Sequence, residues 1–279
     1  MEQRESPLKK FKRQPKIYIN LPSKGRFYKD GTLDDNTSTD IPVFSMTAND
    51  EILYRTPDAL INGEATANNI RSCIPSILDP WKVVTIDIDA ILLAIRLSSY
   101  GENLSVSNVC KKCGEQNSYD IPIQKYIDFY NTLEFKDKIF IEDGLVVNVE
   151  PLTYKLWTEI QKRLIALQRT LQIQIPKITD EDQRNKETDK ILTEISNLNV
   201  QIIFEHIKSI EVDGEIETNP AEILEFIQEA DLSYFKKIKK HIDTQSEVWR
   251  IPPEKVQCGC GAENSVIIRV DQSDFFGRG

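Results

Sequence analysis

Two short segments of this chain repeat one another. Residues 113–118 read Cys-Gly-Glu-Gln-Asn-Ser and residues 260–265 read Cys-Gly-Ala-Glu-Asn-Ser, and a further cysteine stands just before each, Cys110 in the first and Cys258 in the second. In both, an extended stretch (NLSVSNV; VWRIPPEKVQ) leads to the cysteine pair, glycine follows the second cysteine, and Asn-Ser opens another run of strand-like residues. Glycine there can take a positive φ, which turns backbone amides toward a thiolate sulfur. This is how a zinc knuckle is built. Two knuckles supply four thiolates, Cys110, Cys113, Cys258 and Cys260, which fill the tetrahedral shell of a structural zinc and leave no position for a reacting water. The second pair is Cys-Gly-Cys where two intervening residues are usual, a narrower bite that Gly259 accommodates.

A dithiol switch at Cys110 and Cys113, or four unliganded thiols, are the competing readings. A thioredoxin-like site needs a helix N-terminus to lower the thiol pKa, whereas Gly114 and the polar-to-apolar run behind it predict a strand hairpin. Joining the pairs closes a loop of residues 114–257, at a cost of roughly 4 kcal/mol. Structural zinc returns about 10 to 16 kcal/mol in small peptides, so magnitude favours the metal. The opening MEQRESPLKKFKRQPK lacks an apolar stretch, and nowhere is there a run of about 18 apolar residues. The expectation is a chain without a membrane span, cytosolic at synthesis, where thiols stay reduced rather than forming a disulfide framework. Cys73, in NNIRSCIPSI, is expected to be a core thiol.

Charge is uneven. The net charge is −9, yet residues 1–16 hold six Lys or Arg against two Glu, so the remainder is more acidic still. The body should repel nucleic acid while the arm can meet an acidic surface. With 279 residues, 40% hydrophobic and 28% charged, the chain is long enough for one large or two modest cores.

Periodicity divides the rest. KIYIN and IPVFSMT read as strands, and Thr47 to Asp50 carries capping signals for a helix at EILYR. Pro57 and Pro75 bracket short helices broken at Gly63. TIDIDAILLAIRLSSYG puts Ile88, Ile91, Leu92 and Ile95 on one helical face and stops at Gly101. Asp143-Gly144 and Asp213-Gly214 mark two hairpin tips. Leu156, Ile160, Leu164, Leu167 and Leu171, then Ile191, Ile195, Leu198 and Ile202, recur at the spacing of a packed helical seam. Pro176 falls between the two runs, which predicts an antiparallel helical hairpin. Asn219 before Pro220 starts a further helix, which restarts at Asp231.

The expected class is α+β: helices and short strands, a four-cysteine zinc-ribbon-like clasp of two β-hairpin knuckles, and an inserted antiparallel helical hairpin. The expected segments are a basic flexible arm (1–16), an N-terminal α+β unit (17–109), the first knuckle and a hairpin (110–150), the helical hairpin (151–210), a hairpin with C-terminal helices (211–247), and the second knuckle with a tail (248–279). Zinc would lock the early and late parts together and present the helical hairpin, which reads first as an inserted element that packs on its own domain and second as a docking surface for a partner helix.

Catalysis finds little support. His206 and His241 lie on predicted helices or their ends, outside any metalloprotease or deaminase motif. Phosphate-binding glycine loops, nucleophile elbows and paired-histidine zinc motifs are likewise missing from the sequence.

INLPSKGRFY, IPVFSMT followed by Ala-Asn-Asp-Glu-Ile-Leu, DALINGEATANNIRSCI and the VCKKCG knuckle together resemble the baseplate hub subunit or hub-assembly protein family of T-even-like contractile-tailed phages. The similarity is clearest over residues 17–123, and the terminal CGCG segment is compatible with it. The resemblance implies a non-enzymatic structural or assembly protein of the tail baseplate, present in the host cytoplasm during assembly and then in the virion, with other phage tail proteins as partners. The alternative is a zinc-ribbon nucleic-acid-binding regulatory factor, suggested by Lys111, Lys112 and the basic arm. Against it stand the acidic body and the lack of aromatics interleaved with basic residues.

Overall fold

Antiparallel strand hairpins and helices account for most of the described backbone, which makes the chain α+β. The computed structural model describes residues 8, 11–34, 39–54, 62–142, 144–270 and 275–276. The chain folds into two compact units.

The first unit draws on Met1–Val83, Asp87–Thr132 and Ile251–Gly279. Strand β1 (Pro15–Ile19) pairs antiparallel with β2 (Ile41–Phe44). Helix α1 (Ala48–Tyr54) begins at a capping box: Asp50 accepts from the Thr47 N–H (2.7 Å), and Thr47 Oγ1 accepts from the Asp50 N–H (3.3 Å). Helix α2 (Glu64–Cys73) starts directly after Gly63, at φ 78°. Of the expected short helices, the part over residues 55–61 lies outside the described residues. Cys73 is fully buried, and desolvation, with Asp50 nearby, pushes its thiol up to about 12.

Strand β1 begins inside the segment read from sequence as a loose basic arm, and Arg13 is already tied down ahead of it. Its Nη1 donates to the Ser45 carbonyl (2.6 Å), and its Nη2 donates to the Ser72 carbonyl (2.7 Å) and hydroxyl (2.9 Å).

Helix α3 (Thr85–Tyr100) ends at Gly101, whose φ is 92°. The expected face, Ile88, Ile91, Leu92 and Ile95, is buried, but so are Ala90, Leu93 and Ala94, and with them Asp87, Arg96 and Ser98. A helix can be buried nearly all round only if its polar side chains find partners. Asp87 accepts from the Ser23 N–H (2.7 Å), the Ser23 hydroxyl and the Tyr28 hydroxyl (2.8 Å), which pins the PSKG turn. Ser98 Oγ donates to the Phe44 carbonyl at 3.1 Å. Arg96 donates to the Phe275 carbonyl, and the neighbouring Phe276 packs edge-on against Tyr54 at 4.4 Å.

After α3 come β3 (Asn103–Val109) and β4 (Gln116–Pro122), a hairpin of two seven-residue strands whose Leu104 and Ile121 face inward, and then α4 (Gln124–Thr132).

The second unit takes in Val84–Ile86 and Leu133–Arg250. Strands β5 (Lys138–Glu142) and β6 (Leu145–Val149) form a hairpin closed at Gly144. The chain then builds two helices. The first, α5 (Tyr154–Arg169), is capped by Thr153; the second, α6 (Glu181–His206), is capped by Asp180. Between them a π turn (Thr170–Gln174) and a 3-10 turn (Ile175–Lys177) absorb Pro176. In the predicted seam Ile160, Ile191 and Leu198 are buried, and Leu156, Leu164, Leu167, Leu171, Ile195 and Ile202 are half-buried. Arg163 pairs with Glu194 across the hairpin at 3.3 Å.

Strands β7 (Ile207–Val212) and β8 (Glu215–Glu217) follow, with their tip at Asp213 and Gly214, both at positive φ as a type I′ turn requires. The two strand hairpins join into one sheet, β5-β6-β7-β8, with Val147 opposite Ile210. The helical hairpin is therefore an insertion between two neighbouring strands. Helices α7 (Pro220–Glu229) and α8 (Leu232–Val248) take Asn219 and Asp231 as N-caps, and Pro220 holds the first helical position, as expected. The chain then returns to the first unit in β9 (Glu254–Gln257) and β10 (Glu263–Val266), a hairpin of two four-residue strands.

Candidate metal centre

The β3–β4 and β9–β10 hairpins carry the two cysteine pairs at their tips. In the first, the Cys110 N–H donates to the Glu115 carbonyl (2.8 Å) and the Gly114 N–H donates to the Cys110 carbonyl (2.9 Å). The second repeats this closure, with the Cys258 N–H on the Ala262 carbonyl (2.9 Å) and the Gly261 N–H on the Cys258 carbonyl (2.8 Å). Gly114 (φ 76°) and Gly261 (φ 81°) take the positive φ that the sequence assigned to them. One residue fewer between the cysteines of the second pair leaves this closure intact.

The structure brings all four cysteines together, their sulfurs within 4.8 Å of one another. Cys110 Sγ lies 3.8 Å from Cys260 Sγ, and Cys113 Sγ lies 3.7 Å from Cys258 Sγ. A disulfide would need about 2.05 Å, and all four are free thiols. Four sulfurs at bond lengths of about 2.3 Å from one central ion form a tetrahedron with edges of roughly 3.8 Å. The observed separations fit that arrangement, so the cluster can hold a metal ion.

The surroundings treat the thiols unequally. The Cys113 backbone N–H, then the Asn264 side chain and the Lys112 N–H, pull the Cys110 thiol down to about 6. At Cys113 the Glu115 N–H also favours the thiolate, but contact with Cys260, Cys110 and Cys258, together with burial, outweighs it and pushes the thiol up to about 12. Cys260 is raised too: the Ala262 N–H and Cys113 hold it down, and Cys258, burial and Cys110 override them. Crowding the sulfurs of Cys110, Cys113 and Cys260 together disfavours several negative charges at once, a deficit of positive charge that a dication would supply.

Two residues to which the sequence alone assigns no role also belong here. Asn117 and Asn264 occupy the same place in the two repeats. Asn117 Nδ2 donates to Cys258 Sγ at 3.3 Å, and Asn264 Nδ2 donates to Cys110 Sγ at 3.5 Å. Their position in the repeat was the available signal. Helix α4 braces the second hairpin from the side: Glu254 on β9 accepts from Tyr126 Oη (2.8 Å) and pairs with Lys125 (2.6 Å).

Neither histidine is among the clustered ligands. His206 donates from Nδ1 to the Ile202 carbonyl within its own helix, and His241 donates from Nε2 to the Lys136 carbonyl, each at 2.8 Å.

A family model described as T4 bacteriophage base plate protein matches residues 21–277. The chain belongs to this family. The match runs through both knuckles, well beyond residues 17–123 where the resemblance is clearest in the sequence. Membership implies a structural role in a phage tail base plate, with other tail proteins as partners. No curated protein and no solved structure matches this base plate protein. Among its described residues, no helix is long and apolar enough to cross a membrane.

Proposed function

We propose that this base plate protein is a non-enzymatic component or assembly factor of the hub, working through protein contacts, with a structural zinc at Cys110, Cys113, Cys258 and Cys260. The observation that carries the zinc assignment is the four-sulfur cluster, in which the protein supplies every ligand of a tetrahedral ion. A closed sulfur shell stabilises and does not activate water. Zinc is favoured over harder divalent ions because soft thiolates select it. The hub assignment rests on the sequence resemblance within the family. The protein would meet its partners in the host cytoplasm during assembly and remain in the tail baseplate.

The test has two parts. Metal analysis of the full chain, purified under reducing conditions, should give one zinc per chain, and Cys110→Ser or Cys258→Ser should lower zinc content and melting temperature together. A metal-free wild type would overturn the zinc assignment. Partners captured from infected cells should be hub proteins, and purified virions should contain the chain by mass spectrometry. Capture of peripheral base plate proteins alone would overturn the hub assignment.

A further inference from the structure

We infer that Asn117 and Asn264 are reciprocal positioning residues of the clasp, each holding the first cysteine of the opposite knuckle. The inference rests on the zinc assignment made above. The repeat exchanges Cys110 with Cys258, Cys113 with Cys260 and Asn117 with Asn264, and it relates four cross-knuckle side-chain contacts in pairs: Cys110–Cys260 with Cys258–Cys113, and Asn117–Cys258 with Asn264–Cys110.

The direction of each asparagine amide is fixed by partners that can act in only one sense. Asn117 Nδ2 also faces the Glu115 carbonyl (3.1 Å), and Asn264 Nδ2 also faces the Ala262 carbonyl (3.4 Å); a carbonyl can only accept. Asn264 Oδ1 accepts from the Lys111 N–H at 3.3 Å, which crosses between the knuckles a second time. Each amide therefore anchors to its own turn and points its remaining proton at a sulfur of the other knuckle. Cys110 and Cys258 are the two buried sulfur ligands, where a neutral donor lowers the cost of a desolvated thiolate without adding a competing charge. Neither knuckle completes the hydrogen bonding of its first cysteine by itself. The site is fully formed only when both knuckles meet in register.

The experiment uses the full zinc-loaded chain, zinc transfer to a chromogenic chelator, and the sulfur-to-metal charge-transfer band after cobalt(II) substitution. N117A/N264A should release zinc roughly tenfold faster than wild type, and its cobalt band should move to lower energy as two sulfurs lose their N–H donors. The single variants N117A and N264A should each give part of both effects, which keeps the test decisive if the double variant folds poorly. S118A/S265A changes the adjacent repeat positions, both exposed, and should match wild type. Wild-type release rates and band positions in the asparagine variants of a zinc-holding protein would overturn this inference alone. A wild type that holds no zinc would overturn the zinc assignment and this inference with it.

Discussion

Arg96 donates from Nη1 to the backbone carbonyl of Phe275 at 2.5 Å, joining the middle of α3 to an aromatic pair near the end of the chain. Its guanidinium also lies over the rings of Tyr100 and Phe275, and Phe276 is all but inaccessible to solvent. The terminal aromatics are thus part of the core of the first unit.

Phe276→Ala should therefore act as a core truncation and cost about 3 to 5 kcal/mol. Denaturant unfolding of the first unit reads the loss, and a change below about 1 kcal/mol would show that the terminal aromatics are dispensable.

Asp87 gives the first unit a pH dependence of definite sign. Burial pushes its carboxyl up to about 6, against hydrogen bonds from Ser23 and Tyr28 that favour the charged form. A folded pKa above the unfolded one means that the native state holds the proton more tightly. The group's contribution is present below pH of about 4 and is lost as pH rises through about 6. Other carboxyl groups titrate nearby, so the quantity to measure is the difference in urea midpoint between wild type and Asp87→Asn across pH 4 to 7. Wild type should lose ground relative to the variant as pH rises, and a flat difference would contradict the raised pKa.

Metal removal should be felt unevenly. All four cysteines lie in the first unit, and the second unit has its own sheet and helices. Two units of this kind need not unfold in one step. Chelation under reducing conditions should lower one calorimetric transition and leave a second near its original temperature, where zinc readdition restores the first. A uniform shift of all unfolding would mean that the units are not thermodynamically separate.

How legible the chain is depends on how local the cause is. The caps at Thr47, Asn219 and Asp231, the turns at Gly144 and Gly214, and the stop at Gly101 are local, and each lies where the residues imply. The cysteine clasp joins residues far apart in the chain, yet it is legible because the sequence repeats itself at the two knuckles. The pairing of β6 with β7 is different: each strand belongs to a hairpin that reads as complete, and nothing local says that the two hairpins share an edge. The burial of Asp87 and Arg96 on an otherwise apolar helix is hidden for the same reason, since their partners Ser23, Tyr28 and Phe275 lie far off in sequence. Asn117 and Asn264 stand in the repeat in plain view, but only the geometry shows that each serves the other knuckle.

The helical hairpin offers a graded test of its seam. Leu198 is 2% exposed, whereas Leu192, on the same helix, is 48% exposed. Leu198→Ala removes buried methyl groups and should cost about 2 to 5 kcal/mol, while Leu192→Ala should stay within about 0.5 kcal/mol of wild type. Leu167, half-buried in the same seam, should fall between them. That order follows from geometry: two helices shield the line where they meet but leave its flanks open to water. Unfolding of the second unit, followed by the helical signal, ranks the three variants. Equal losses at Leu198 and Leu192 would contradict the seam.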